Sequence, residues 1–402
     1  MHKYLFILGR EPELSVAEIQ AVASRMAIPI VWKSIIQQAV LLEKDRTVGF
    51  FESLAGTIKV AEVVGECPRS PSGVKQAVVA ALLAAGDYHD YEFGLSLYGV
   101  KLPWLKVVGM NIKRELKSSG KHVRFVVSRE AELSSVVVQK RKLLPPHGFE
   151  FVLAPHGAHK LTLARTLKVQ DFEAWSRRDY GRPARDARVG MLPPKLARLM
   201  VNLAEVRPGG SILDPFCGSG TVLQEAALLG YHRLTGLDAD ARGIERTRTN
   251  FTWLKGKMPV VSSEPKLFTA DIRHLPRELD EHTFDAIVTE PYLGPPLRGR
   301  ETPGELKQIA SELTDFYRTA LKVLTHLVNP KGRIVMVWPV LRAASGEIML
   351  PLPELLPKIG LRLIDVLPPV VPQGWHTSRG TLRYERPDAR VGREIAVLEQ
   401  IR

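Results

Sequence analysis

The chain has 402 residues, 45% apolar and 25% charged, with a formal net charge of +13. That balance suits a soluble globular protein of two or three domains with well-filled cores. It holds no run of about 18 apolar residues, so no spanning helix and no membrane partner are expected, and the early apolar run Tyr4–Leu8 is too short for a secretory signal core. Two cysteines, Cys67 and Cys217, cannot build a four-thiolate zinc site. A reducing, cytoplasmic location and no metal are the expectation.

The charge is unevenly spread. Residues 101–142 carry eleven Lys/Arg against three acids, and residues 160–198 carry ten against four, so the remainder of the chain is close to neutral. Concentrated positive charge is the footprint of a polyanion partner, with a solvated basic face as the plainer alternative.

Residues 1–65 read as a small ferredoxin-like α/β unit. Tyr4–Gly9 is a strand, Ser15–Met26 a helix with Ser15 and Glu18 spaced as a capping box, and Ile30–Glu43 further strand. Arg46–Ala55 follows as a short helix and Lys59–Gly65 as a strand, and Pro68–Gly73 looks like a boundary. Residues 66–142 read as a second α/β unit: helix Val74–Ala85, strand Glu92–Tyr98, helix Leu105–Lys117 and strand Val123–Ser128. A last helix ends in Lys140, Arg141 and Lys142. With Lys113, Arg114 and Lys117 these form a basic rim suited to RNA phosphates, read by shape because no aromatic-stacking signature is visible.

Residues 143–190 are expected to hold a hairpin, Phe149–Ala154 with Lys160–Val169, and then a basic linker, DFEAWSRRDYGRPARDARV, of almost no periodicity. Arg182 and Arg185 in that linker could clamp RNA phosphates. Residues 191–402 alternate strand and helix, which predicts a parallel sheet covered on both faces. Glu394–Glu399 is the candidate last edge strand.

The centre of that last domain is Ser211–Asp240. A strand, Ser211–Leu213, runs into Asp214, then a loop with Gly218 and Gly220, then helix Thr221–Leu229 and strand Arg233–Leu237 ending in Asp238. This is the layout of a nucleotide site at the carboxyl edge of a parallel sheet. A dinucleotide site aims its helix at pyrophosphate, which an acid in the loop would repel. Asp214 suits a cationic ligand instead, such as the ammonium of S-adenosylmethionine, and Asp238 can accept both ribose hydroxyls. Asp271, after the third strand, can accept from the adenine amine. A helix or turn cap is the plainer reading for any one of these acids.

The fourth strand ends in Thr289-Glu290-Pro291-Tyr292-Leu293-Gly294. An exocyclic amine on a base is a weak nucleophile and needs acceptors for its hydrogens and a fixed line of attack. Glu290 could accept from it, the Pro291 carbonyl could be a second acceptor, and Tyr292 could stack. A carboxylate also matches the adjacent N1–H and N2 amine of guanine.

With these motifs the chain resembles the THUMP-domain tRNA guanosine-N2 methyltransferases. LFILGREPELSVAEIQAV, RDYGRPARDARVGMLPPKLARLMVNLA, DPFCGSGT, LDAD and TEPYLG fall in that family's order, and residues near 65–142 sit where its THUMP domain would. The resemblance implies a class I, Rossmann-like methyltransferase domain behind an amino-terminal RNA-binding region, S-adenosylmethionine as cofactor and tRNA as partner. It also implies methylation of the guanosine N2 amine at tRNA position 10. It assigns Asp214, Phe216, Gly218 and Gly220 to the methionine end of the cofactor, Asp238 to ribose and Asp271 to adenine. One departure stands out: the family reads Asp-Pro-Pro-Tyr where this chain reads Glu290-Pro291-Tyr292-Leu293. That leaves open the target base, mono- against dimethylation, and two other readings: a non-catalytic RNA-binding protein on the same fold, and a DNA amino-methyltransferase. A small activating protein partner is likewise left open.

Overall fold

A computed structural model of the chain describes residues 2–401 except 37, 46–48, 87–89, 147, 186–190, 259–260, 262–263, 277, 280–283, 344–345, 376 and 387–388. The linker residues 186–190 and the first part of the expected helix at 46–55 therefore lie outside the described residues. In chain order the first elements are β1 (His2–Leu8), α1 (Pro12–Arg25), β2 (Ile30–Ile36), β3 (Ala39–Lys44), α2 (Phe50–Ser53) and β4 (Thr57–Pro68). Next come α3 (Pro71–Ala84), β5 (Asp90–Leu97), α4 (Leu105–Ser118), β6 (His122–Val126), α5 (Ser135–Lys140), β7 (Phe149–His156), β8 (Lys160–Val169) and α6 (Phe172–Tyr180). They are followed by α7 (Pro194–Leu203), β9 (Ser211–Asp214), α8 (Thr221–Leu228), β10 (Arg233–Asp238), α9 (Ala241–Lys257), β11 (Lys266–Thr269), β12 (Phe284–Thr289) and α10 (Pro303–Leu327). The last are β13 (Val328–Ala343), β14 (Gly346–Met349), α11 (Leu352–Leu355), β15 (Leu361–Leu363), β16 (Leu382–Tyr384) and β17 (Val391–Gln400). They fall into two compact units: Met1–Pro12, Ile28–Glu52 and Gly56–Phe172 form one, and Glu13–Ala27, Ser53–Ala55 and Glu173–Arg402 the other.

The first unit is built on one eight-stranded sheet, ordered β2-β3-β1-β4-β8-β7-β5-β6. β4 runs unbroken through residue 65, so residues 1–65 and 66–142 contribute to the same sheet, and the β7–β8 hairpin is its middle rather than a connector. At Pro68–Gly73 the chain turns into α3: Ser70 caps the helix, its hydroxyl accepting from the Gly73 amide at 3.1 Å. Val74, Val78 and Leu82 of α3 and Val108, Ile112 and Leu116 of α4 bury their faces against Phe93, Phe149 and Phe151 of the sheet. Within it Lys59 and Glu150, both fully buried, pair at 2.5 Å, and Ser96 and Thr166 donate to the same carboxylate. A buried charge pair persists only when its remaining lone pairs are filled in this way.

The second unit has a nine-stranded sheet with main order β11-β10-β9-β12-β13-β17-β15. β11 through β13 are parallel, and β17 enters antiparallel between β13 and β15. The carboxyl-terminal strand is therefore interior and not an edge, which its buried run Gly392–Leu398 makes possible. The strand order reverses between β9 and β12, and there an α/β sheet opens a crevice at the carboxyl ends of its strands. On one face α10 buries Leu306, Leu313, Tyr317, Leu321 and Leu324.

Two expectations change here. The spacing of Ser15 and Glu18 is not a capping box, because α1 already begins at Pro12, whose fixed φ suits the first helical position. The Glu18 carboxylate instead accepts from the Ala55 amide at 2.8 Å and from Asn202 Nδ2 at 2.7 Å. The arginine-rich lead-in is also not a bare linker. α6 covers its first half, and Arg178 and Arg198 both donate to the fully buried Glu225 of α8, at 2.7 and 2.8 Å. Their guanidinium carbons lie 4.1 and 5.0 Å from the Trp175 ring centroid.

Candidate functional site

The crevice at the reversal point is a cavity of about 890 Å³, lined by the loop after β9, the ends of β10, β11 and β12, and Val391 and Arg393 of β17. The glycine loop has the backbone that its residues permit. Gly218 has φ +54° and Gly220 φ +78°, and a Cβ on Gly220 would meet Thr247 Cγ2 at 2.7 Å. A Cβ on Gly218 would meet nothing within 4 Å, so there the glycine serves backbone conformation and ligand approach.

Asp214, Asp238, Asp271 and Glu290 all line this one cavity, as do Phe216, Gly218, Pro291 and Tyr292. Asp214 is 2% exposed; its Oδ1 accepts from the Thr289 hydroxyl at 2.7 Å and from the Phe216 amide at 3.3 Å. Burial pushes its carboxyl up to about 7, against the pull of those two donors. Asp238 accepts from the Gly218 amide at Oδ2 and from the Asp240 amide at Oδ1, each at 2.8 Å. A carboxylate offers about four lone-pair positions, so two remain for a diol. Asp271 is held by Arg273, at 2.9 Å from Nε and 2.6 Å from Nη2, and the hydrogen bond to that side chain brings its carboxyl down to about 2. Four carboxyl groups thus converge on the crevice, two of them, Asp271 and Glu290, each paired with an arginine. Phe216 stands edge-on to Phe316 on its wall, with centroids 5.7 Å apart.

Cys217 packs as a small side chain. Its amide donates to Leu237 O at 2.8 Å, and burial raises its thiol well above the ordinary range.

Glu290 is not alone. Arg393, 103 positions later on β17, holds it from one side, Nε to Oε2 at 2.5 Å and Nη2 to Oε1 at 3.2 Å. Tyr292 is 56% exposed, which leaves its ring face open, and its carbonyl accepts from the buried Tyr317 hydroxyl at 3.3 Å. That hydroxyl lies at the same distance from Val337 O, and the Tyr317 ring lies 4.8 Å from that of Trp338. Tyr317 and Arg393 were not among the residues singled out by motif. Thr289 carries a local signal, being the neighbour of Glu290, whereas Arg393 has none.

The basic candidates divide. Lys113 is half-buried, and Arg114, Lys117, Lys140, Arg141 and Lys142 are exposed, all in the first unit. Arg182 and Arg185 belong to the second unit. Arg185 is exposed, its guanidinium 5.5 Å from the Tyr180 ring centroid. Arg182 is only 3% exposed and donates to Thr221 Oγ1 at 2.6 Å, so it supports the start of α8 rather than presenting a surface charge.

A family model described as RMKL-like, methyltransferase domain (UPF0020) matches residues 182–345. The chain is 45% identical over 105 residues to a tRNA (guanine(10)-N2)-dimethyltransferase of Methanothermobacter thermautotrophicus, covering 26% of this chain and 28% of that one. It thus spans well under half the length of that relative. A protein of Methanothermococcus thermolithotrophicus named as a probable tRNA (guanine(10)-N2)-dimethyltransferase is 31% identical over 121 residues, 30% of this chain and 72% of its own. The crystal structure of TrmN from Thermus thermophilus superposes over all of both chains with a TM-score of 0.55 at 18% identity, which places the fold among the Rossmann-like methyltransferases. The chain belongs to the family of the tRNA (guanine-N2)-methyltransferases.

Proposed function

We propose that this chain is an S-adenosylmethionine-dependent tRNA methyltransferase acting on the exocyclic N2 amine of a guanosine, at position 10 in the reading that its family suggests. The observation that carries it is the convergence of Asp214, Asp238, Asp271 and Glu290 on a single cavity beside an open tyrosine face. The residues present fit the cofactor: a buried acid for its cationic end, a carboxylate with two spare acceptor positions for its ribose, and glycines that admit its chain.

The cofactor supplies an electrophilic methyl group. The protein's part is positioning. Glu290 accepts hydrogens from the amine and the adjacent ring N–H, Tyr292 stacks on the base, and Tyr317 fixes the Tyr292 carbonyl and so the loop between them. Effective molarity of this kind supplies roughly 7–11 kcal/mol at its upper end. The exposed cations Arg114, Lys117, Lys140, Arg141 and Lys142 support tRNA as the partner. The four-part division at residues 65, 142 and 190 remains a proposal for functional modules, with residues 66–142 as the THUMP-like part. A cytoplasmic site of action agrees with that substrate, and among the described residues no helix is long and apolar enough to cross a membrane.

The test is incubation of the pure protein with methyl-labelled S-adenosylmethionine and bulk tRNA, followed by nucleoside mapping. Label in N2-methylguanosine or its dimethyl form is expected. Tight tRNA binding without label would favour the non-catalytic reading, and preference for duplex DNA the DNA-methyltransferase one.

A further inference from the structure

Arg393 and Glu290 form a two-point pair facing the target end of the cavity, and pairing accounts for only part of what they offer. Both line the cavity, with side chains 10% and 13% exposed. The carboxylate is held by Nε and Nη2, which leaves two of its lone-pair positions open. Among the described residues the hydrogen bonds of the guanidinium run from Nε and Nη2, so Nη1 and the second Nη2 hydrogen remain to give.

We propose that Arg393 is a specificity residue that, with Glu290, reads the Watson–Crick edge of the target base as guanine. This rests on the reading of the protein as an amine methyltransferase. The pair presents a donor, Arg393, beside an acceptor, Glu290. Guanine presents the complement: O6 accepts and the neighbouring N1–H donates, with the N2 amine next in line for Glu290 and the methyl donor. Adenine and cytosine present the reverse, an amine donor beside a ring-nitrogen acceptor, so each would face Arg393 with a donor and Glu290 with a lone pair. Uracil and hypoxanthine match the pair but have no amine to methylate. Guanine alone among these bases satisfies both conditions. Arginine to guanine O6 is also the commonest specific base contact in nucleic-acid recognition. Half of the proposed reader lies on β17, far in sequence from the fourth motif.

The experiment uses the full-length protein and tRNA transcripts ligated so that the mapped target guanosine is kept or replaced by 2-aminopurine riboside or 2,6-diaminopurine riboside. Both analogues keep the 2-amine and lose O6 and the N1–H. The wild-type protein is expected to favour guanosine in kcat/KM by about 100-fold, the upper range of one bidentate base contact. In Arg393→Met that ratio falls about 10-fold, because the donor to O6 is gone while Glu290 still reads the N1–H. S-adenosylhomocysteine affinity should be retained, and checks that the domain is folded. Arg393→Lys, which keeps the cation and one donor, gives an intermediate ratio and stands in if the methionine variant fails to fold. A wild-type protein indifferent to the analogues, or an Arg393 variant that keeps the wild-type ratio, overturns the proposal while leaving the methyltransferase reading intact. A wild-type protein that labels no tRNA guanosine overturns both.

Discussion

The Thr289 hydroxyl donates to Asp214 Oδ1 at 2.7 Å, tying the end of β12 to the end of β9 across the point where the strand order reverses. One side chain thus connects the acid proposed to face the cofactor to the motif proposed to face the base. Thr289→Val keeps the volume and removes the donor. A hydrogen bond to a charged group contributes about 1.5–3 kcal/mol, so S-adenosylhomocysteine should bind roughly 10-fold or more weakly at neutral pH. Titration calorimetry of the two proteins checks this; equal affinities would remove Thr289 from the cofactor site.

Asp214 gives the site a pH dependence. Burial raises its carboxyl to about 7 in the ligand-free protein, and a cationic ligand requires the ionised form. Cofactor affinity should therefore be flat above pH 7 and fall about 10-fold per pH unit below it. Stability runs the other way. A folded-state pKa above the unfolded one means that the native state binds the extra proton, so this contribution is fully present below pH 4 or so and is lost as pH rises through about 7. Asp214→Asn should flatten both profiles, read by calorimetry for binding and by urea midpoints for stability.

Glu290→Ala removes the acceptor for the amine hydrogens while leaving Asp214, Asp238 and Asp271 in place. A loss of about 10²–10⁴-fold in kcat is expected, the usual range for a positioned acid–base group, with S-adenosylhomocysteine affinity close to wild type. Unchanged turnover would exclude Glu290 from the reaction.

Glu225 accepts from Arg178 and Arg198 with all three side chains buried. Glu225→Gln would leave two guanidinium groups facing each other without an anion, at a cost of about 3–5 kcal/mol. Replacing all three together by Leu, Met and Met should recover most of that loss. Thermal unfolding of the single and triple variants decides it; a neutral single variant would show the triad to be incidental.

The convergence of the acids on one cavity was legible because their signals are local. Asp214, Gly218 and Gly220 fall within seven residues, Asp238 ends β10, and Asp271 lies two residues past β11. The target side was half legible. Glu290 and Tyr292 lie in a motif, but Arg393 reaches them only because β17 is inserted between β13 and β15, and no spacing rule encodes that. The single sheet of the first unit was hidden for a related reason. A Pro- and Ser-rich stretch at 68–73 looks the same in sequence whether it separates domains or caps a helix beside a continuing sheet. Arg182 was misleading as a candidate for a surface because composition counts charge without seeing burial.

The basic residues of the first unit make the most direct test of the partner. Lys140, Arg141 and Lys142 end α5 and are all exposed, and Arg114 and Lys117 lie exposed near the end of α4. If they contact phosphate, each contact releases counterions, and affinity falls with salt at a slope of about 0.7–0.9 per phosphate neutralised. The triple variant Lys140→Ser, Arg141→Ser, Lys142→Ser should weaken tRNA binding and lower the magnitude of that slope by about 2–3 if all three touch phosphate. KM for tRNA should rise while kcat and the affinity for S-adenosylhomocysteine stay near wild type, because none of the three lines the cavity. An unchanged slope in filter-binding measurements across a salt series would assign these charges to solubility and move the tRNA contact elsewhere on the chain.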